Sequence, residues 1–135
     1  MDSLYEVVDN CEYCIVYLNG IQYKYLRSAR KFESILRGIA TLTEGAQALE
    51  PFGVALQSDT LSALKEGLFI EFYFYSVLVV DGMTFDRLLI EIKPEYSGFN
   101  IIRATKGKYG GRCYYIGLNK PMKNFYEFLI RVVQR

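Results

Sequence analysis

Three groups of residues in this chain have types and spacings that could do chemistry. The first is Glu91-x-Lys93 in the run LLIEIKP. On an extended strand, residues two apart share a face. With an upstream carboxylate, Asp81 or Glu71, the pair could hold Mg²⁺ while Lys93 positions or activates water. The second group is CEYC, where Cys11 and Cys14 have the C-x-x-C spacing of redox pairs and zinc sites. The third is KGKYGG, inside the basic, tyrosine-dotted stretch IIRATKGKYGGRCYYIGLNK at 101–120. Its glycines would let a backbone approach a phosphate, its cations would neutralise one, and its rings could stack on bases.

Each group also has a plainer explanation. The acidic-x-Lys pair ending an apolar strand resembles the core of the PD-(D/E)xK nucleases, which implies metal-dependent cutting by Glu91, Lys93 and a second carboxylate. The same alternation is what any solvated strand face shows. The step from Asp81 crosses a tight turn, and PEYSGFN stands where that family has a helix. For CEYC, a structural zinc needs four ligands and the only further thiol is Cys113. The pair leads into a strand, where positions i and i+3 point to opposite faces. Cys11 and Cys14 are therefore expected to be small buried hydrophobes. No metal and no cofactor is expected.

The chain has no histidine. That excludes a Ser-His-Asp or Cys-His arrangement within it, and it removes the commonest metal ligand. Catalysis would fall to carboxylate, Lys, Tyr or Cys, and the expectation is a protein that is not an enzyme.

Net charge is only +1 but unevenly spread. Residues 44–95 carry nine acidic and three basic side chains, whereas 96–126 carry six basic and no acidic ones. The basic set is Arg103, Lys106, Lys108, Arg112, Lys120 and Lys123, with Tyr109 and Tyr114 among them. KGKYGG lacks the Walker spacing and falls between strands, not before a helix. A hairpin tip needs glycine and tolerates lysine because it is wet. Strand alternation would also split the aromatic residues between two faces. A solvated hairpin or a protein contact is expected ahead of nucleic-acid binding, which stays as the alternative.

The elements that would position these groups follow from periodicity. CIVYLNGIQYKYL reads as a hairpin turning at Asn19-Gly20. SARKFESILRGIATLTEGA has Phe32, Ile35, Leu36, Ile39 and Leu42 at helical spacing, with Ser28 as N-cap and Gly45 as stop. QALEPFGVALQ is an irregular connection, and SDTLSALKEG a short second helix. LFIEFYFYSVLVV is apolar on both faces, so it belongs in the sheet centre. Asp81-Gly82 begins a turn. FDRLLIEIK alternates Leu88, Ile90 and Ile92 against Arg87, Glu91 and Lys93. Two more strands flank KGKYGG, and a final helix after Asn119 and Pro121 shows the face Met122, Phe125, Leu129, Val132 and Val133. The expectation is one α+β domain over 1–135. It has an antiparallel sheet of about five to six strands in the order ββα(α)ββββα, with helices packed on one or both faces.

The longest apolar run is 13 residues and contains Glu71, short of the roughly 20 a membrane helix needs. The acidic start MDSLYEVVDN is unlike a signal peptide, and three cysteines make no disulfide framework. A cytoplasmic location is the default. The hairpin through Asn19-Gly20, the helix around Ile35 to Leu42 and the ending NIIRATKGKYGGRCYYIGLNKPMKNFYEFLI resemble, in topology only, the roadblock and profilin-like group. That resemblance implies protein–protein binding, often as dimers, without catalysis. A tyrosine-rich sheet face with Tyr23, Tyr25, Tyr73 and Tyr75 would need cover, and a second subunit could supply it. The sequence thus points to a homodimeric module that binds a protein partner, an acidic one matching the basic segment.

Overall fold

In the computed structural model, which describes residues 4–44, 50–51, 67–80, 83–106, 108–109 and 114–134, Asn19 and Gly20 both have positive φ, 51° and 84°. That is the backbone of a two-residue type I′ turn. It joins β1 (Cys11–Leu18) to β2 (Ile21–Leu26), with Leu18 opposite Ile21 and Tyr13 opposite Leu26. A short helix, α1 (Leu4–Val8), precedes the hairpin and buries Leu4, Val7 and Val8.

Helix α2 (Arg30–Leu42) follows and buries the expected stripe of Phe32, Ile35, Leu36 and Ile39. Its N-cap is Ala29, not Ser28, and no side chain caps it. The chain turns before the serine can act, since the Ala29 amide already donates to Leu26 O at 2.9 Å. At the other end the Thr43 hydroxyl donates to Ile39 O at 2.8 Å and closes the last turn. Gly45, the second helix anticipated in SDTLSALKEG and the Asp81-Gly82 turn lie outside the described residues.

Among the described residues every strand pair is antiparallel, and the strands lie in the order β2, β1, β4 (Leu68–Val80), β5 (Met83–Ile92), β6 (Gly98–Thr105), β8 (Tyr114–Gly117), β3 (Glu50–Pro51), with β7 (Lys108–Tyr109) paired to β6. The long strands are β4, β5 and β6. The last described strand is β8, while β3 and β7 have two residues each. β4 is central, between β1 and β5, as its two apolar faces require. Helix α3 (Lys123–Gln134) closes the chain. The class is α+β, as the periodicity predicts.

All the described helices lie on one face of the sheet. Phe72, Ile90, Ile101 and Val16 meet Ile39, Leu129 and Met122 in a single apolar cluster. Every predicted residue of the α3 face is buried there: Met122, Phe125, Leu129, Val132 and Val133. α2 and α3 cross closely at Gly38, where a Cβ would stand 2.5 Å from the Phe128 ring and 3.2 Å from that of Phe125. Only hydrogen fits that contact without moving a ring.

Strand parity fails at CEYC. The pairing of β1 with β4 shifts between Cys11 and Tyr13, so Cys11 lies opposite Phe74 while Tyr13 lies opposite Tyr73. A bulge adds a residue to one strand and resets which face follows. Both thiols therefore sit in the helix-side core at 0% exposure, instead of diverging. They are free, and Cys11 Sγ–H donates to Tyr13 O at 2.7 Å. Burial pushes Cys11 up from 9.0 to about 12 and Cys14 higher still. Neither is a nucleophile at neutral pH.

Candidate functional site

The face of the sheet turned away from the helices carries the polar side chains. Register sets them in rows: Tyr13, Tyr73 and Arg87; then Ile15, Glu71 and Leu89; then Tyr17, Phe69 and Glu91. The alternation predicted for β5 holds, with Arg87 and Glu91 opposite Leu88, Ile90 and Ile92. The face is not the solvated one that alternation usually marks. Glu71 is 2% exposed and Glu91 9%, and Phe69, Leu89 and Ile102 beside them are buried.

Glu71 is the centre of the arrangement. A carboxylate in the middle of LFIEFYFY must be partnered, because an unpaired buried charge costs several kcal/mol. The Tyr73 hydroxyl donates to Glu71 Oε1. Burial, and then that bond to the carboxylate, drive Tyr73 far above the usual 10.0, so it stays a neutral donor. Burial followed by the Glu71 charge raises Tyr17 as well. The rings are stacked across strands: Tyr13 on Tyr73 at 4.5 Å and Tyr17 on Phe69 at 4.2 Å between centroids. Arg87 lies 4.9 Å over the Tyr73 ring and Lys24 lies 4.2 Å over that of Tyr13. The result is a four-member ladder, cation–ring–ring–cation, running from β2 to β5. Each cation–ring contact adds about 0.5–1 kcal/mol where water reaches it.

Glu91 and Lys93 do share this face, one diagonal step from Glu71, so the register brings together the groups a metal-dependent nuclease would need. All three are engaged. Lys93 Nζ lies 3.0 Å from Glu91 Oε1, Asn100 Nδ2 donates to Glu91 Oε2 at 3.4 Å, and Tyr96 stacks under the ammonium at 5.2 Å. The hydrogen bond that Lys93 donates to Glu91 raises its pKa further, which keeps it a cation and a poor base. Among the described residues no three Cys, Asp or Glu groups are placed to hold a metal ion. Asp81 lies outside them.

The basic segment is divided. Arg103 is 3% exposed and lies opposite Leu88 on the helix side of the sheet. Lys106 is exposed in the turn after β6, with φ 53°, and its amide donates to Asp86 Oδ2 at 3.1 Å. Lys120 and Lys123 are exposed at the opposite end of that hairpin, beside the start of α3. Lys108 and Tyr109 pair with Thr105 and Ala104, and Tyr114 pairs with Ile101. Arg112 lies outside the described residues, as do Gly107, Gly110, Gly111 and Cys113. Arg103, buried, is thus set apart from the exposed Lys106, Lys120 and Lys123.

The four tyrosines expected to share a face are also separated. Tyr23 and Tyr25 pair with Val16 and Cys14 and pack half-buried against the helix-side core. Tyr73 belongs to the Glu71 face, and Tyr75 is 66% exposed beyond the end of β1. A groove of about 750 Å³ lies between α2 and α3. Arg37 and Lys120 stand at it, with Leu42 and Phe128 supplying apolar wall. No family model, no curated protein and no solved structure matches the chain.

Proposed function

We propose that this chain is a non-enzymatic protein-binding module that assembles as a homodimer and holds a further partner at the far end of β4. One observation carries the reading. Among the described residues seven large apolar side chains are exposed, and five of them fall in two places. Ile21 (57%) and Leu26 (56%) stand on the outermost strand, β2, and Tyr75 (66%), Val77 (51%) and Val79 (67%) stand on β4. The β4 set lies past the point where β1 stops pairing, at and beyond the break in the β4–β5 register between Tyr73 and Leu78. A cluster of exposed large apolar side chains is characteristic of a contact surface. The engaged state of Glu71, Glu91 and Lys93 supports binding over catalysis. The α2–α3 groove has mixed charge, with Arg37 paired to Glu33 at 2.7 Å and Glu44 lining it together with Lys120, and the free buried thiols Cys11 and Cys14 suit a reducing, cytoplasmic setting. No helix among the described residues is long and apolar enough to cross a membrane.

The test is affinity capture from extracts of the source cells, comparing the wild type with a Tyr75→Ser/Val77→Ser/Val79→Ser variant. A protein recovered in near-stoichiometric amount by the wild type and lost with the variant is expected. Identical recoveries from both would overturn the role given to β4.

A further inference from the structure

Among the described residues β2 is the first strand of the sheet and pairs only with β1. The strand is six residues long, with no proline or bulge to blunt its outer edge, and every second residue turns its backbone donor and acceptor outwards. Proteins commonly guard such an edge with a lysine pointing outwards. Here Lys24 is turned the other way: its ammonium lies over the Tyr13 ring of β1, 4.2 Å from the centroid. The edge is left open while Ile21 and Leu26 beside it are more than half exposed.

The hairpin turn fixes which groups face outwards. Leu18 and Ile21 close a two-residue turn, and such a closing pair exchanges both of its hydrogen bonds. Alternation then aims the N–H and C=O of Ile21, Tyr23 and Tyr25 at β1. Those of Gln22 and Lys24 point to the free edge, whereas the Leu26 carbonyl is already taken by the Ala29 amide at 2.9 Å. The side chains of Ile21, Tyr23 and Tyr25 lie on the helix side, opposite Leu18, Val16 and Cys14.

We infer that two copies pair through β2, antiparallel, about a two-fold axis at Tyr23. The inference rests on the homodimer reading above and specifies its surface and register. An antiparallel pair must set like faces together, so the axis passes through a residue. An axis at Lys24 would oppose two ammonium groups directly, which destabilises a strand pair. An axis at Tyr25 would carry the partner strand past Leu26 to Arg27, which is held by Asp9 at 2.7 Å. The axis at Tyr23 has neither defect. It sets Ile21 against Tyr25 of the partner subunit, an aliphatic–aromatic pair, and Gln22 against Lys24 of the partner subunit. The outward groups of those last two residues exchange backbone hydrogen bonds on both sides of the axis. Tyr23 meets its own copy, and one continuous sheet runs through the dimer.

Light scattering and mild oxidation test this together. The wild type should show twice the chain mass at high micromolar concentration. A Tyr23→Cys variant should form a covalent dimer on a non-reducing gel, because Cα atoms of a non-hydrogen-bonded antiparallel pair lie about 4.5 Å apart, within disulfide reach. Lys24→Cys should not cross-link. If Tyr23→Cys fails to fold, an Ile21→Cys/Tyr25→Cys variant, which the same register links twice, replaces it. A wild-type monomer would overturn the homodimer and the register with it. A wild-type dimer whose folded Tyr23→Cys variant stays unlinked would overturn the β2 contact alone. Cross-linking by Lys24→Cys in preference would overturn the register.

Discussion

Raising the pH above 9 is expected to unfold this protein, because burial holds two thiols and several phenols in their neutral forms. An unfolded chain ionises its cysteines from their ordinary value of 9.0, whereas the folded one keeps Cys11 protonated up to about 12 and Cys14 beyond that. Burial likewise raises Tyr13, Tyr17, Tyr25 and Tyr73 above the ordinary 10.0. The sign follows from linkage. A group whose pKa is raised on folding contributes stability that is complete below its unfolded pKa and is lost as pH climbs through the folded one. Each pH unit in that window costs about 1.4 kcal/mol per group. Two units above 9.0 therefore remove about 5 kcal/mol through Cys11 and Cys14 alone, comparable to the whole stability of many domains. The tyrosines add to the loss from 10.0 upwards. With no histidine in the chain, no imidazole titrates between about pH 6 and 8, and the baseline before the transition should be flat. Far-ultraviolet circular dichroism against pH, in a reductant, reads the transition. A Cys11→Ala/Cys14→Ala variant should shift its onset upwards by about one unit, into the tyrosine range. Native ellipticity persisting at about pH 11 would sink the account.

Glu71→Ala is expected to cost about 3 kcal/mol of stability, more than a surface carboxylate could. The variant leaves the Tyr73 hydroxyl in a buried site without the acceptor it now uses, and opens space beside Phe69 and Leu89. Glu71→Gln keeps an oxygen in place and should cost only about 1 kcal/mol. A Tyr73→Phe variant completes a double-mutant cycle, in which the coupling between Glu71 and Tyr73 should exceed about 1 kcal/mol. Urea midpoints measure all three. If Glu71→Ala matched the wild type to within about 0.5 kcal/mol, the carboxylate would be no more than a surface charge, and the ladder above it would lose its anchor.

The same two sites show what the sequence could and could not reveal. Helical periodicity alone identified the buried stripes of α2 and α3, because a helix carries its own face. Asn19-Gly20 located a hairpin for an equally local reason. Faces of strands are different, since they depend on register against neighbours. Nothing in CEYC announces the bulge that turns Cys11 to the same side as Cys14. Tyr23 and Tyr25 alternate as Tyr73 and Tyr75 do, and only the pairing with Val16 and Cys14 puts the first two under the helices. Ile101 and Ile102 are both apolar, so the face of Arg103 was undecided until β6 met β5. Glu71 did leave a signal: a carboxylate within a run apolar on both sides asks for a buried partner. Its neighbour two residues on, Tyr73, supplied it, while Tyr17 came from a distant strand.

The strand order has a kinetic consequence. β4, β5 and β6 form a meander in which each strand pairs with the next, whereas β1 joins them by setting Val16 opposite Ile70, 54 residues along the chain. Closing that loop costs more entropy than closing any turn of the meander, and distant pairings slow folding. The first hairpin can form early on its own turn, but its docking onto β4 should come last. Substitutions in β5 would then slow folding, and those at the β1–β4 seam would chiefly speed unfolding. Stopped-flow rates for Leu88→Ala and Val16→Ala would show the division, and equal folding-rate losses at both positions would refute it.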